Sequence, residues 1–401
     1  ASGGPRATLN LVADDAILPG AKFGVRSGRI TADGPLSRLP YQADLQGVSA
    51  SDRWALKGQG VLSPDKGVQQ LTFDGSARYG RRELSTVETA RLRFGGGEKS
   101  ARLRLAGRDG GRIDLDGRLA GDAADIRAEV AQLNLGLLNP DLTGRADGTL
   151  TLAGKAGRLE GTLDARLDDA RGRGSPRELG MDGALKARLI GDSLVLDANV
   201  TNEQGLKANT QVTLPAEASA SPFRIALVRT RPMRGTFFAD GEVKPLWDLL
   251  IDGERELAGR VHMQGTIGGT LADPQAVGQA SVDGGRFSDG ATGLLLSEVT
   301  LRAAMADNVI DITQASAADG HGGGLSGAGR LNLSRNGAST FRMDLKNFRL
   351  IDNDIGSASA SGQARLDRAA DGKMRLAGDL TIDRADVAAK ISGPSGWWPW
   401  T

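Results

Sequence analysis

The feature that most limits the fold of this chain is a two-residue alternation of apolar and charged side chains. Arg102-Leu103-Arg104-Leu105 and Arg112-Ile113-Asp114-Leu115-Asp116 put aliphatic groups on one side of an extended backbone and charges on the other. A helix repeats every 3.6 residues and cannot sort side chains this way. The alternation persists through residues 163–167, 185–189, 194–200, 210–214 and 223–228. It continues at Arg342-Met343-Asp344-Leu345 and slips at Lys346-Asn347 before Phe348 and Leu350, where a β-bulge is expected. The 57 glycines and the 4% aromatic content fit many short strands joined by tight turns. Pro19-Gly20 and Asp33-Gly34-Pro35 read as two of those turns.

A sheet with one wet and one dry face must twist and have its dry face covered. A second sheet, closure into a barrel, or curling into a trough would each serve. About one strand per 13 residues predicts about 30 strands, which at ~4.8 Å spacing would make a sheet on the order of 140 Å long. The fold class expected is all-β: one long, curled, mostly repetitive sheet with one or two short helices. No linker divides the chain, so residues 1–401 read as one continuous β-repeat region.

One order of elements recurs. Leu246 to Ile251 is a short apolar helix candidate, Asp252 to Glu256 a charged turn, and Val261 and Met263 then alternate with Arg260, His262 and Gln264. Gly265-Thr266-Ile267 follows, then a turn at Ala272-Asp273-Pro274, then a strand restarting at Gly278 with Ala280 and Val282 on one face. Leu135 to Leu138, the break at Asn139-Pro140-Asp141, Gly144 to Leu152 and the restart at Gly161-Thr162-Leu163 repeat that order. A weaker copy spans Gly362 to Asp383. The period is loose, as in a sheet that grows by adding strands.

These runs resemble the TamB branch of the large AsmA-like periplasmic proteins. The residues that carry the likeness are Gly259, Gly265, Thr266, Ile267, Asp273, Pro274, Gly278, Ala280 and Val282, with a companion run from Leu294 to Gly329. The clearest family-like repeats cover residues 135–287 and 288–387. The resemblance implies a long taco-shaped sheet with an apolar groove, a periplasmic location in a Gram-negative bacterium, an inner-membrane anchor outside this chain, and an outer-membrane barrel partner of the TamA type. It implies a non-enzymatic conduit that moves phospholipid between the membranes and so contributes to outer-membrane biogenesis. A second role is an assembly factor that templates outer-membrane or autotransporter β-proteins by strand addition.

The dry face holds the candidate lipid-contacting residues: Leu103, Leu105, Leu150, Leu152, Leu163, Leu167, Val261, Met263, Ile267, Val282, Leu331, Leu333, Met343, Leu345, Leu376, Leu380 and Ile382. In a closed sheet they would be ordinary core. In an open one, a uniform aliphatic stripe suits acyl chains, at ~0.8 kcal/mol per methylene buried.

Other signals weigh less. Fifty Lys and Arg against 49 Asp and Glu leave a net charge of +1, which argues against a nucleic-acid partner. With no cysteine, disulfides and thiolate catalysis are excluded. Gly322 to Gly327 matches a dinucleotide loop in spacing, yet an alternating strand follows it where a helix would be needed, so a tight hairpin is expected. His262 and His321 are too few for a metal site. Asp14-Asp15, Asp168-Asp169 and the pair Asp114 and Asp116 read as solvated sheet face, matched by arginines. No cofactor or catalytic residue is expected. Ala1 to Arg6 is no signal peptide; the resemblance implies an internal piece that starts after a membrane helix. Trp397-Trp398-Pro399-Trp400 reads either as an interfacial anchor or as a junction foreign to the repeat.

Overall fold

The computed structural model describes residues 5–17, 23–49, 52–65, 67–250, 255–289, 294–334, 337–353 and 356–387. Among them are 25 strands assigned to one antiparallel sheet, one short α-helix and three 3-10 turns. The chain divides into two compact units, residues 1–238 with 267–272, and residues 239–266 with 273–401.

In the first unit the strands are β1 (Arg6–Ile17), β2 (Phe23–Pro35), β3 (Leu39–Ser49), β4 (Asp52–Asp65), β5 (Val68–Tyr79), β6 (Arg82–Thr86), β7 (Ala90–Gly95), β8 (Glu98–Gly107), β9 (Arg112–Ala120), β10 (Ala123–Asn134), β11 (Leu142–Lys155), β12 (Arg158–Gly172), β13 (Met181–Ile190), β14 (Ser193–Asn202), β15 (Lys207–Ala220) and β16 (Phe223–Leu227). Strand β17 (Arg234–Glu242) begins in this unit and ends in the second. The second unit continues with α1 (Lys244–Leu250), β18 (Arg255–Gly269), whose residues 267–269 belong to the first unit, β19 (Pro274–Asp289), β20 (Leu294–Ala306), β21 (Val309–Ala318), β22 (Gly324–Asn332), β23 (Ser339–Asn353), β24 (Gly356–Arg368) and β25 (Met374–Val387).

Most strands pair with their neighbours in sequence, because the loops are too short for anything else. Ala120 faces Ala123 across Gly121-Asp122, and Ile190 faces Ser193 across Gly191-Asp192. Gly121 and Gly191 sit at φ +58° and +59°, the left-handed backbone that two-residue hairpins need and that a Cβ disfavours.

The strands are longer than the sequence predicts and therefore fewer than the expected 30 or so. Asp33-Gly34-Pro35 finishes β2 where a turn is predicted, and Pro274 opens the 16-residue β19. Pro35 and Pro274 lie at strand ends, where the missing N–H costs no ladder bond. The helix predicted over 246–251 starts earlier, at Lys244, and Arg255 and Glu256 open a strand where a charged turn is predicted. Ile251, the rest of that turn, Pro19-Gly20 and Trp397 to Trp400 lie outside the described residues.

The bulge predicted at Lys346-Asn347 is present: pairing shifts between Leu345 and Phe348, and Asn347 adopts φ +46°. Similar shifts occur at Gln132 (φ +50°) in β10 and Asp169 (φ +50°) in β12. In each case the next strand supplies an acceptor for the freed backbone N–H. Gln132 donates to Asp147 Oδ1 at 2.9 Å, Asp169 to Asp182 Oδ1 at 3.2 Å and Asn347 to Ser361 Oγ at 2.8 Å. A bulge kinks its strand and increases local twist, so a capped bulge is a fixed bend.

Both units are curled. In the first, one cavity of about 960 Å³ is lined by Arg26 of β2 and by Arg173, just beyond β12. Those strands are nine pairing steps apart, about 43 Å in a flat sheet. The end of β15 also turns back: the Ala220 N–H donates to the Ala156 carbonyl at 3.0 Å, in the β11–β12 hairpin. This hook closes a small core of Ala124, Leu159, Leu189, Ala216 and Ala220, against which Leu119, Leu152 and Leu194 pack. In the second unit, β20 and β23 are three steps apart, about 14 Å if flat, yet approach within 8 Å between Cα atoms. Phe348 of β23 is only 1% exposed.

Candidate functional site: an uncovered aliphatic face

The pairing registers show which predicted residues meet. Across β8 to β15, one row runs Leu103, Leu115, Ala128, Leu150, Leu163, Ala187, Leu196 and Val212. The next row on the same face begins Leu105, Ile113 and Val130 and ends Leu185 and Ala198 before Thr210. On the other flank Ile126, Leu152, Gly161, Leu189, Leu194 and Leu214 form a third. Leu167 extends the surface with Ala146, Gly183 and Val200.

The second unit repeats the arrangement. Val282, Leu301, Ala315, Gly327, Met343, Ala364 and Gly378 form one row. Leu325, Leu345, Gly362 and Leu380 form the next, and Ile382 follows opposite Ala360. Leu331 lies opposite Ile310, and Leu333 is one residue beyond the end of β22. Leu376 joins Leu366 and Phe341. Val261, Met263 and Ile267 share one side of β18 by alternation, while Arg260 and His262 reach Asp240 from the opposite side.

No second layer of side chains covers most of these residues. Leu103, Leu150, Leu163, Leu196, Val282, Leu301 and Met343 are all half-buried, and Leu376 is 64% exposed. Leu345 differs, being only 4% exposed beside the bulge that buries Phe348. The sequence cannot reveal that difference, because Leu345 alternates like the others. The face is also less purely aliphatic than predicted: Trp54 faces Gly47 in the row pattern of Leu45 and Leu56, and Phe341 lies opposite Leu366.

The opposite face is polar in register. Arg104, Asp114, Glu129, Thr149, Asp164, Lys186, Asp197 and Gln211 follow one another across eight strands. Arg104 Nε lies 3.3 Å from Asp114, Nη1 donates to the Leu103 and Leu115 carbonyls, and Nη2 donates to Asp116, a contact that holds the guanidinium above its ordinary pKa. Arg330 pairs with Asp311 at 3.2 Å and Arg302 with Asp283 at 2.6 Å. Such exposed pairs are worth little individually, roughly 0–1 kcal/mol, but they keep charge off the other face.

The two histidines fall within polar structure. His262 Nδ1 is 3.0 Å from Asp240 Oδ2; His262 first and then Arg260 hold the Asp240 carboxyl below its usual range. The His321 backbone N–H donates to Asp319 Oδ1 at 2.8 Å. Asp319, 2% exposed, also accepts from Gly323 and Arg349 at 2.8 Å each. Burial pushes its pKa up, but the three backbone donors outweigh that and hold it below the ordinary value. The Gly322 to Gly327 run is the hairpin that this aspartate pins, leading into β22. Among the described residues no three His, Asp or Glu side chains are placed to hold a metal ion, and no helix is long and apolar enough to cross a membrane.

The fold and its faces define a class: an antiparallel β-sheet protein that presents a long aliphatic surface on one side and a charge-matched surface on the other. Comparison with protein-family models and with curated proteins finds no match to this chain.

Proposed function

We propose that this chain is a non-enzymatic lipid carrier. Acyl chains would lie along the apolar rows while polar head groups stay at the sheet margins. The observation that carries this reading is the partial exposure of continuous aliphatic rows across strands β8 to β15 and β19 to β25. A globular core would bury them, and an exposed apolar surface of this extent otherwise marks a binding site. Because the rows are chemically uniform, a chain sliding from strand to strand exchanges like contacts for like. That property suits a conduit.

The resemblance to TamB and AsmA-like proteins extends the reading to phospholipid transfer across a bacterial periplasm, in outer-membrane biogenesis, with an inner-membrane tether and a TamA-type barrel as partners. Native mass spectrometry of the purified chain, with extraction of bound lipid, tests the proposal. Phospholipid should co-purify and should be lost from variants with arginine on the apolar rows. A lipid-free chain that instead retains unfolded β-barrel protein would overturn it in favour of strand addition at β1 or β25, each of which pairs on one side only among the described strands.

A further inference from the structure

Positive charge in this chain is nearly matched by negative charge, and arginines such as Arg104, Arg302 and Arg330 on the polar face stand beside carboxylates. One cavity instead gathers several arginines around a single concavity. The cavity of about 960 Å³ in the first unit is lined by Arg26, Arg53, Arg81, Arg82 and Arg173, with Asp52 as its one acidic residue among the described residues. Among the described residues, Arg26, Arg53, Arg81 and Arg173 form no ion pair within 4 Å. Five like charges around one concavity repel one another, and an anion from outside the chain would relieve that.

The cavity also joins the two faces. Arg53 opposes Val48 and lies on the polar side of β4, whereas Arg82 opposes Tyr79 in the pattern that places Leu84 opposite Ala77 on the apolar side. Arg82 is held in place: Nε donates to Asn134 Oδ1 at 2.8 Å and an η nitrogen to the Gly136 carbonyl at 3.2 Å. Its guanidinium lies against Gly136, where a Cβ would come within 2.0 Å of Cζ. A guanidinium fixed before binding loses little freedom when it pairs with a phosphate.

We infer that this cavity binds the phosphate of an anionic phospholipid whose acyl chains continue onto the apolar face. The inference rests on the lipid-carrier reading for its source of phosphate. Three probes separate the two: dihexanoylphosphatidylglycerol, the neutral dihexanoylglycerol with the same chains, and glycerol 3-phosphate with none. Each is titrated calorimetrically into the whole chain and into an Arg26→Gln/Arg53→Gln/Arg81→Gln variant, whose far-UV circular dichroism reports folding. Arg173→Gln alone serves as a second, independent variant.

The native chain should bind the phosphatidylglycerol at least about tenfold tighter than the diglyceride, an advantage that shrinks with salt and that the triple variant loses. Diglyceride binding should be equal in both proteins. If diglyceride binds and the phosphate adds nothing, the cavity is not a phosphate site. If glycerol 3-phosphate binds as tightly as the phospholipid, the ligand is a free phosphate ester and the lipid source is overturned. If no diglyceride binds, the apolar-face reading fails on its own.

Discussion

Leu163→Arg separates an open apolar face from a closed core. Leu163 lies between Leu150 and Ala187 in the row that crosses eight strands, and it is half-buried. If the face is open, the arginine stem can lie along it and carry the guanidinium to water. Folding should then cost less than about 1.5 kcal/mol. If the face were closed, an unpaired charge would be buried at about 3–5 kcal/mol. For an acyl chain crossing this row, losing contact over about three methylenes costs roughly 2–3 kcal/mol, or about 50-fold in affinity. Leu159→Ala is the comparator: Leu159 is 1% exposed in the core closed by the β15 hook, and its truncation should cost about 2–5 kcal/mol. Denaturant titrations followed by circular dichroism would read stability, and titration with a fluorescent phospholipid would read binding. The reasoning is refuted if Leu163→Arg shifts the unfolding midpoint as far as Leu159→Ala does, or if lipid affinity is unchanged.

Three further perturbations bear on the supporting structure. Asp319→Ala should destabilise the second unit by about 3 kcal/mol, because three backbone N–H groups lose their acceptor, and protection of Gly323 and Arg349 from hydrogen exchange should fall. The Asp319 carboxyl has its pKa lowered from 3.8, so its stabilisation is present above about pH 4 and is lost as pH falls through the depressed value; acid unfolding of the variant should be shallower over that range. His262→Ala should leave lipid binding unchanged and raise the Asp240 pKa toward its ordinary value, read by carboxyl NMR, since His262 is the largest cause of its depression. Gly136→Ala should expel the Arg82 guanidinium and remove its bond to Asn134, at about 1–2 kcal/mol in thermal unfolding.

The alternation by itself determined the all-β class and the sidedness of each strand. Leu103, Leu150 and Leu163 were legible as one face because side-chain direction in a strand depends only on residue parity. Even the slip at Lys346-Asn347 could be read, since a bulge leaves a break in parity. What parity cannot encode is distance across the sheet. The bulges at Gln132 and Asp169 depend on acceptors in the next strand, Asp147 and Asp182, whose roles appear only once register is set. Curling then brought Arg173 to the cavity of Arg26, although 146 residues of chain lie between those positions. Curvature likewise separated Leu345, buried beside Phe348, from Met343 two residues away, which stays only half-buried. Sequence assigns a residue to a face; only the bend of the sheet decides whether that face closes over it.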